Sequence, residues 1–98
     1  MSLQIVLEVD GQAGVQALLR ALEAYEARLQ ASISRGAGKL HEFEQRYNVT
    51  TERFLLDMAA EDLSDGDLEY VEWAGEARLL GGLEAELREL ESVRRQLP

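Results

Sequence analysis

The first ten residues and the rest of the chain follow different hydrophobic periods. Leu3, Ile5, Leu7 and Val9 alternate with Gln4, Val6 and Glu8, the period-two pattern of a half-buried strand. No second strand pattern follows. A strand over residues 1–10 therefore needs a symmetry mate or a partner's sheet edge to satisfy its ladder groups, or it is not a strand.

After Asp10, a candidate N-cap, the period becomes helical. Apolar residues recur at Val15, Leu18, Leu19, Leu22, Tyr25, Leu29, Ile33, Leu40, Phe43 and Tyr47, which predicts one helix over 11–48, about 50 Å long. Gly36 and Gly38 interrupt it and mark a kink or a close backbone crossing. Asn48 suits the left-handed residue that ends a helix.

Two helix starts follow with a shared grammar. Thr50 can cap a short helix over 50–60, with Val49 and Phe54 as its hydrophobic staple. Ser64 can cap a long helix over 64–95, with Leu63 and Leu68 as the staple and Asp65 and Asp67 complementing the dipole in its first turn. Along this last helix Trp73, Leu80, Leu83, Leu87, Leu90 and Leu97 form a coiled-coil-like seam, with Arg94 in one core position and Gly81 and Gly82 interrupting it. The expected fold is all-α: a single domain in which two long helices form an antiparallel hairpin, joined by a short helix and preceded by a short strand. Leu3, Ile5 and Leu7 on the strand and Leu83, Leu87 and Leu90 on the seam are candidate homodimer contacts.

Size makes help from a second chain unsurprising, because a chain of 98 residues buries only about 60–65% of its unfolded surface. The net charge of −9 is concentrated: from Glu42 to Glu76 eleven acids face two bases, Arg46 and Arg53, so the rest is neutral. That segment repels a phosphate backbone and attracts a basic protein surface, although an acidic surface can also be merely well solvated. A basic leader and an apolar run near ~18 residues are both missing, so a cytoplasmic protein without a membrane span is expected.

Candidate chemistry is sparse. Without cysteine there are no thiolate metal sites or thiol nucleophiles. In "EDLSDGDLEYVEW", placing Gly66 at the sixth position of a calcium loop puts Asp65 at the fifth and Glu72 at the twelfth, but the third falls on Leu63, which cannot ligate. His41 and Glu44, one turn apart, are too few for a typical zinc site. No nucleophile, phosphate loop or cationic clamp accompanies the acids, so neither an enzyme nor a cofactor is expected. A strand followed by helices is the plan of ribbon-helix-helix DNA binders, but here the strand's polar face offers Gln4 and Glu8, and nucleic-acid contact is not expected.

The aromatics admit two readings. Tyr70 and Trp73 lie one turn apart, and Phe43, Tyr47 and Phe54 must fold back near them, forming either a small aromatic core or, with the acids around Trp73, an interface anchor. Both can be partly true.

The stretch "HEFEQRYNVTTERFLLDMAAEDLSDGDLEYVEWAGEARLL" resembles a loose group of small bacterial and archaeal helical proteins assigned as antitoxins of toxin–antitoxin pairs. The shared elements are Phe43, Arg46 with Tyr47, Thr50, Phe54, the acids from Glu61 to Asp67, and Tyr70, Glu72 and Trp73. They span roughly residues 40 to 80. Asn48 stands where the group has glycine, and Arg53 interrupts its Glu-rich short helix. The resemblance implies a non-catalytic protein that neutralises a cognate basic toxin encoded next door. Phe54, Tyr70 and Trp73 are then candidate anchors, and Asp65, Asp67, Glu69 and Glu72 the electrostatic complement. The competing expectation is a homo-oligomeric coiled-coil scaffold with no toxin partner.

Overall fold

The computed structural model describes residues 1–59 and 68–97. It is all-helical over those residues, with α1 Gly11–Tyr47, α2 Thr51–Ala59 and α3 Leu68–Arg94. Long α1 packs on α3 as a hairpin, with α2 closing one end, and the molecule measures 58 × 28 × 18 Å. The second staple, the Ser64 cap and the calcium-loop residues 61–67 lie outside the described residues. No described helix is long and apolar enough to cross a membrane.

The seam of α1 is more regular than its apolar residues suggest. Positions 15, 19, 22, 26, 29, 33, 36, 40, 43 and 47 alternate by four and three, and each is buried or half-buried. Eight of these are apolar or aromatic, and the other two are Glu26 and Gly36. A strict seven-residue repeat keeps one stripe facing a partner helix along the whole length. On α3, Trp73, Ala77, Leu80, Leu83, Leu87 and Leu90 form the opposing stripe and are buried or half-buried within the single chain. The expected oligomerisation residues Leu83, Leu87 and Leu90 thus pack first in the hairpin of their own chain.

Polar contacts pin the two helices in register. Arg94 Nε donates to Glu26 Oε1 at 2.6 Å, Lys39 Nζ lies 3.2 Å from Glu76 Oε1, and the Tyr25 hydroxyl donates to Glu86. Arg94, which interrupts the apolar seam, therefore answers the carboxylate that interrupts the seam of α1.

Of the glycines that interrupt the two long helices, one lies at a close crossing. A Cβ on Gly36 would lie 3.4 Å from Leu80 Cδ1, so the helices approach closely there. Cβ atoms on Gly38, Gly81 and Gly82 would meet nothing within 4 Å. Only one of the four marks a close approach, and the other three are exposed.

The expected strand is not formed within the single chain: residues 1–10 carry no regular structure and are exposed throughout. The chain offers no second strand, and an isolated strand gains no ladder bonds to offset its ordering. The arm does enter α1 as expected at Asp10, whose carbonyl accepts the Gly14 N–H at 3.1 Å, although its carboxylate makes no capping bond. Val9 sits over Gly14, where an added Cβ would lie only 3.0 Å from the Val9 Cβ.

Candidate functional site

The α1–α2 corner is built as the sequence grammar predicts. Asn48 ends α1 with φ 54° and ψ 46°, and the Val49 N–H returns to the Glu44 carbonyl at 3.2 Å. Thr50 caps α2 by accepting the Arg53 N–H at 3.1 Å on its hydroxyl. Val49 and Phe54, the expected staple, both join the main core cluster.

Trp73 fills that corner completely and is 0% exposed. Phe54 stacks on it with ring centroids 3.9 Å apart, and Phe43 and Tyr47 stack at 5.4 and 5.7 Å. Tyr70 meets Tyr47 and Phe54 edge-on at 5.4 and 5.5 Å, a favoured geometry for aromatic quadrupoles. The indole N–H donates to Thr51 Oγ1 at 3.0 Å, so burying it leaves no orphaned donor.

The structure thus brings the resemblance's aromatic elements together in the core reading of the two. In the single chain Trp73 and Phe54, the candidate anchors, both face inward, and half-buried Tyr70 packs on them. Glu69 is engaged within the chain by Arg46 and the Tyr47 hydroxyl, and Arg46 also lies 5.8 Å from the Phe43 ring centroid. Glu72 is exposed. Asp65 and Asp67 lie outside the described residues.

Beside this corner opens a groove of about 430 Å³ whose floor includes Leu40, Leu55 and Leu80 and whose rim carries Glu44, Glu52 and Glu84, with Gly81 at its edge. No lysine or arginine is among its described lining residues. The Thr51 backbone N–H, donating to Glu44 Oε2 at 2.7 Å, holds that carboxyl below its ordinary range, with the Thr51 hydroxyl acting next. Glu44 is therefore charged at neutral pH. Around the corner Leu55, Leu56, Leu68 and Val71 remain exposed.

Sequence reasoning missed Glu52, Leu55, Gly81 and Glu84 as site residues. The available signal was adjacency: Leu55 follows a core phenylalanine, which turns it outward on the same helix. Among the described residues no group of three or more His, Asp or Glu side chains could hold a metal ion, and His41 is exposed. Compared with family models, with curated proteins and with solved structures, the chain matches none.

Proposed function

We propose that this chain is a non-catalytic protein-binding module that engages a basic protein through its acidic corner, in the manner of an antitoxin covering its toxin. The observation that carries the reading is the groove: three glutamates and three leucines line it together, with no lysine or arginine among its described lining residues. A lysine or arginine side chain suits such a place, because its methylene stem covers leucine while its head meets carboxylate. The antitoxin character comes from the resemblance, and the −9 segment between Glu42 and Glu76 supplies attraction toward a basic partner.

The test is co-expression with the product of the adjacent reading frame, weighing the purified species by light scattering and scoring relief of growth arrest. A stable hetero-complex in the natural chain, weakened at least tenfold by Glu52→Lys with Glu84→Lys, supports the reading. A chain that ignores its neighbour, or a complex indifferent to both charge reversals, overturns it.

A second reading is favoured by a separate observation at the other end of the hairpin. Met1, Leu3, Ile5, Val6 and Leu7 are all exposed, an apolar arm with nothing over it in the single chain. Under this reading the chain is a homodimer, with or without a toxin partner, and the arm is its contact.

A further inference from the structure

We propose that the arm pairs with the arm of a second copy as a two-stranded antiparallel ribbon whose two-fold axis passes through Val6. The inference rests on the homodimer reading and specifies its register. Residues 1–9 make no backbone hydrogen bond among the described residues, and Leu3, Ile5 and Val6 are 85%, 84% and 85% exposed. Such a segment has its full set of ladder donors and acceptors available.

The end of the arm lies against its own hairpin. Val9 rests on Gly14, and the odd-numbered face continues as Ile5 and Leu7 along a groove shared with Val15, Leu18 and Leu97. One face of a ribbon built from two arms would therefore lie on apolar surface contributed by the helices.

Symmetry restricts the register. A two-fold axis normal to a ribbon sets one residue opposite its own copy, and every residue then faces a partner on the same side of the ribbon. With Val6 at the axis, Leu3 faces Val9 and Ile5 faces Leu7, so the apolar face is complementary to itself. On the other face Glu8 meets Gln4 and Asp10 meets Ser2, so each acid faces a neutral hydrogen-bonding side chain. An axis at Glu8 opposes two glutamates, and an axis at Ile5 or Leu7 sets apolar Val6 against Gln4 or Glu8, whereas the axis at Val6 opposes it to itself. Like charges directly opposite are destabilising and mixed polar pairs are not.

Charge over the whole molecule points the same way. Outside Glu42–Glu76 the chain is neutral overall, so the strongly acidic segment adds no repulsion where two copies meet at this end. Their acidic corners are left at the far ends of helices about 55 Å long, free for other partners.

The absence of cysteine makes the test clean. Opposed residues in an antiparallel pair have Cα atoms about 4.5–5.5 Å apart, within disulfide reach, whereas a residue three positions from the axis lies roughly 20 Å from its copy. The full-length chain would be weighed by light scattering, and Val6→Cys and Leu3→Cys would be compared under mild oxidation. A dimer whose Val6→Cys variant cross-links at least five times faster than Leu3→Cys, and which Ile5→Lys with Leu7→Lys turns into a helical monomer, supports the proposal. A dimer that cross-links as fast at position 3 overturns the ribbon and leaves the homodimer reading standing, whereas one that survives the two lysines overturns the arm as its contact as well. A monomeric natural chain, or an arm buried only in a hetero-complex, overturns both.

Discussion

The Trp73 indole N–H donates to the Thr51 hydroxyl across 22 residues of chain, at 3.0 Å, within a site closed to solvent. One bond thereby joins the first turn of α2 to α3, beside the Phe54–Trp73 stack that joins the same two helices. Thr51→Val keeps the shape but leaves the indole donor unpaired, at a cost of about 1–3 kcal/mol. Trp73→Ala also opens a cavity between Phe43 and Phe54 and costs about 3–5 kcal/mol. Urea unfolding should rank the variants in that order, with Thr51→Ser near the natural chain. A Thr51→Val midpoint equal to that of the natural protein would show that the bond contributes nothing.

Acid should loosen the same corner. The folded state holds the Glu44 carboxyl below its ordinary value of about 4.5, through the Thr51 N–H first. The unfolded chain then binds the proton more readily, so the stabilisation is fully present above about pH 4.5 and is lost as pH falls through the lower folded value. Replacing Glu44 by Gln should flatten this part of the pH–stability curve between pH 3 and 6. At the hairpin's other end the hydrogen bond to Glu86 raises the pKa of Tyr25 above 10.0, so its contribution is present below pH 10 and fades as pH rises through the folded value. Tyr25→Phe should remove that alkaline slope alone.

The glycines separate space from propensity. At Gly82 an added methyl meets nothing within 4 Å, so Gly82→Ala should gain about 1 kcal/mol of helix propensity and raise Tm by about 4–8 °C. At Gly36 the methyl comes 3.4 Å from Leu80 Cδ1, a contact that the flexible leucine can accommodate, so Gly36→Ala should also raise Tm, whereas the larger Gly36→Leu should lower it outright. A Gly36→Leu variant as stable as Gly82→Leu would mean that α1 and α3 do not approach closely at Gly36.

Local signals explain why much of this fold is legible in the sequence. Asn48, Thr50, Val49 and Phe54 act within one turn of each other, and the structure uses each as its residue type suggests. The long helices follow from periodicity, and their bounds at Gly11 and Tyr47 lie within a residue of the predicted ones. What escapes is non-local. The Glu44 carboxylate reaches past the turn to the Thr51 N–H, and Glu84 of α3 comes to line one groove with Glu52 of α2. Whether Trp73 is core or anchor was undecidable from spacing alone, because a buried and a presented indole share the same helical face. The arm shows the reverse limit, a strand-like pattern that a single chain cannot express.

The pairing of Glu26 with Arg94 makes the hairpin register testable. Glu26 is 6% exposed and occupies a seam position between Leu22 and Leu29, where leucine would be expected. Its carboxylate accepts from Arg94 Nε at 2.6 Å, while the Arg94 side chain stays 41% exposed. Partial solvation weakens the pair, yet removing the arginine alone leaves a nearly buried charge uncompensated. Arg94→Met should therefore cost about 1.5–3 kcal/mol, in the range for hydrogen bonds to charged groups, whereas Glu26→Leu with Arg94→Met should recover most of that loss. The double variant should also lose specificity, because an apolar seam tolerates a slip of the helices that one nearly buried carboxylate with a single arginine partner forbids. A double-mutant cycle by urea unfolding, with cross-link spacing across the hairpin as a register readout, checks both parts. A coupling energy near zero would mean that Leu29, Leu40 and the aromatic corner alone set the register.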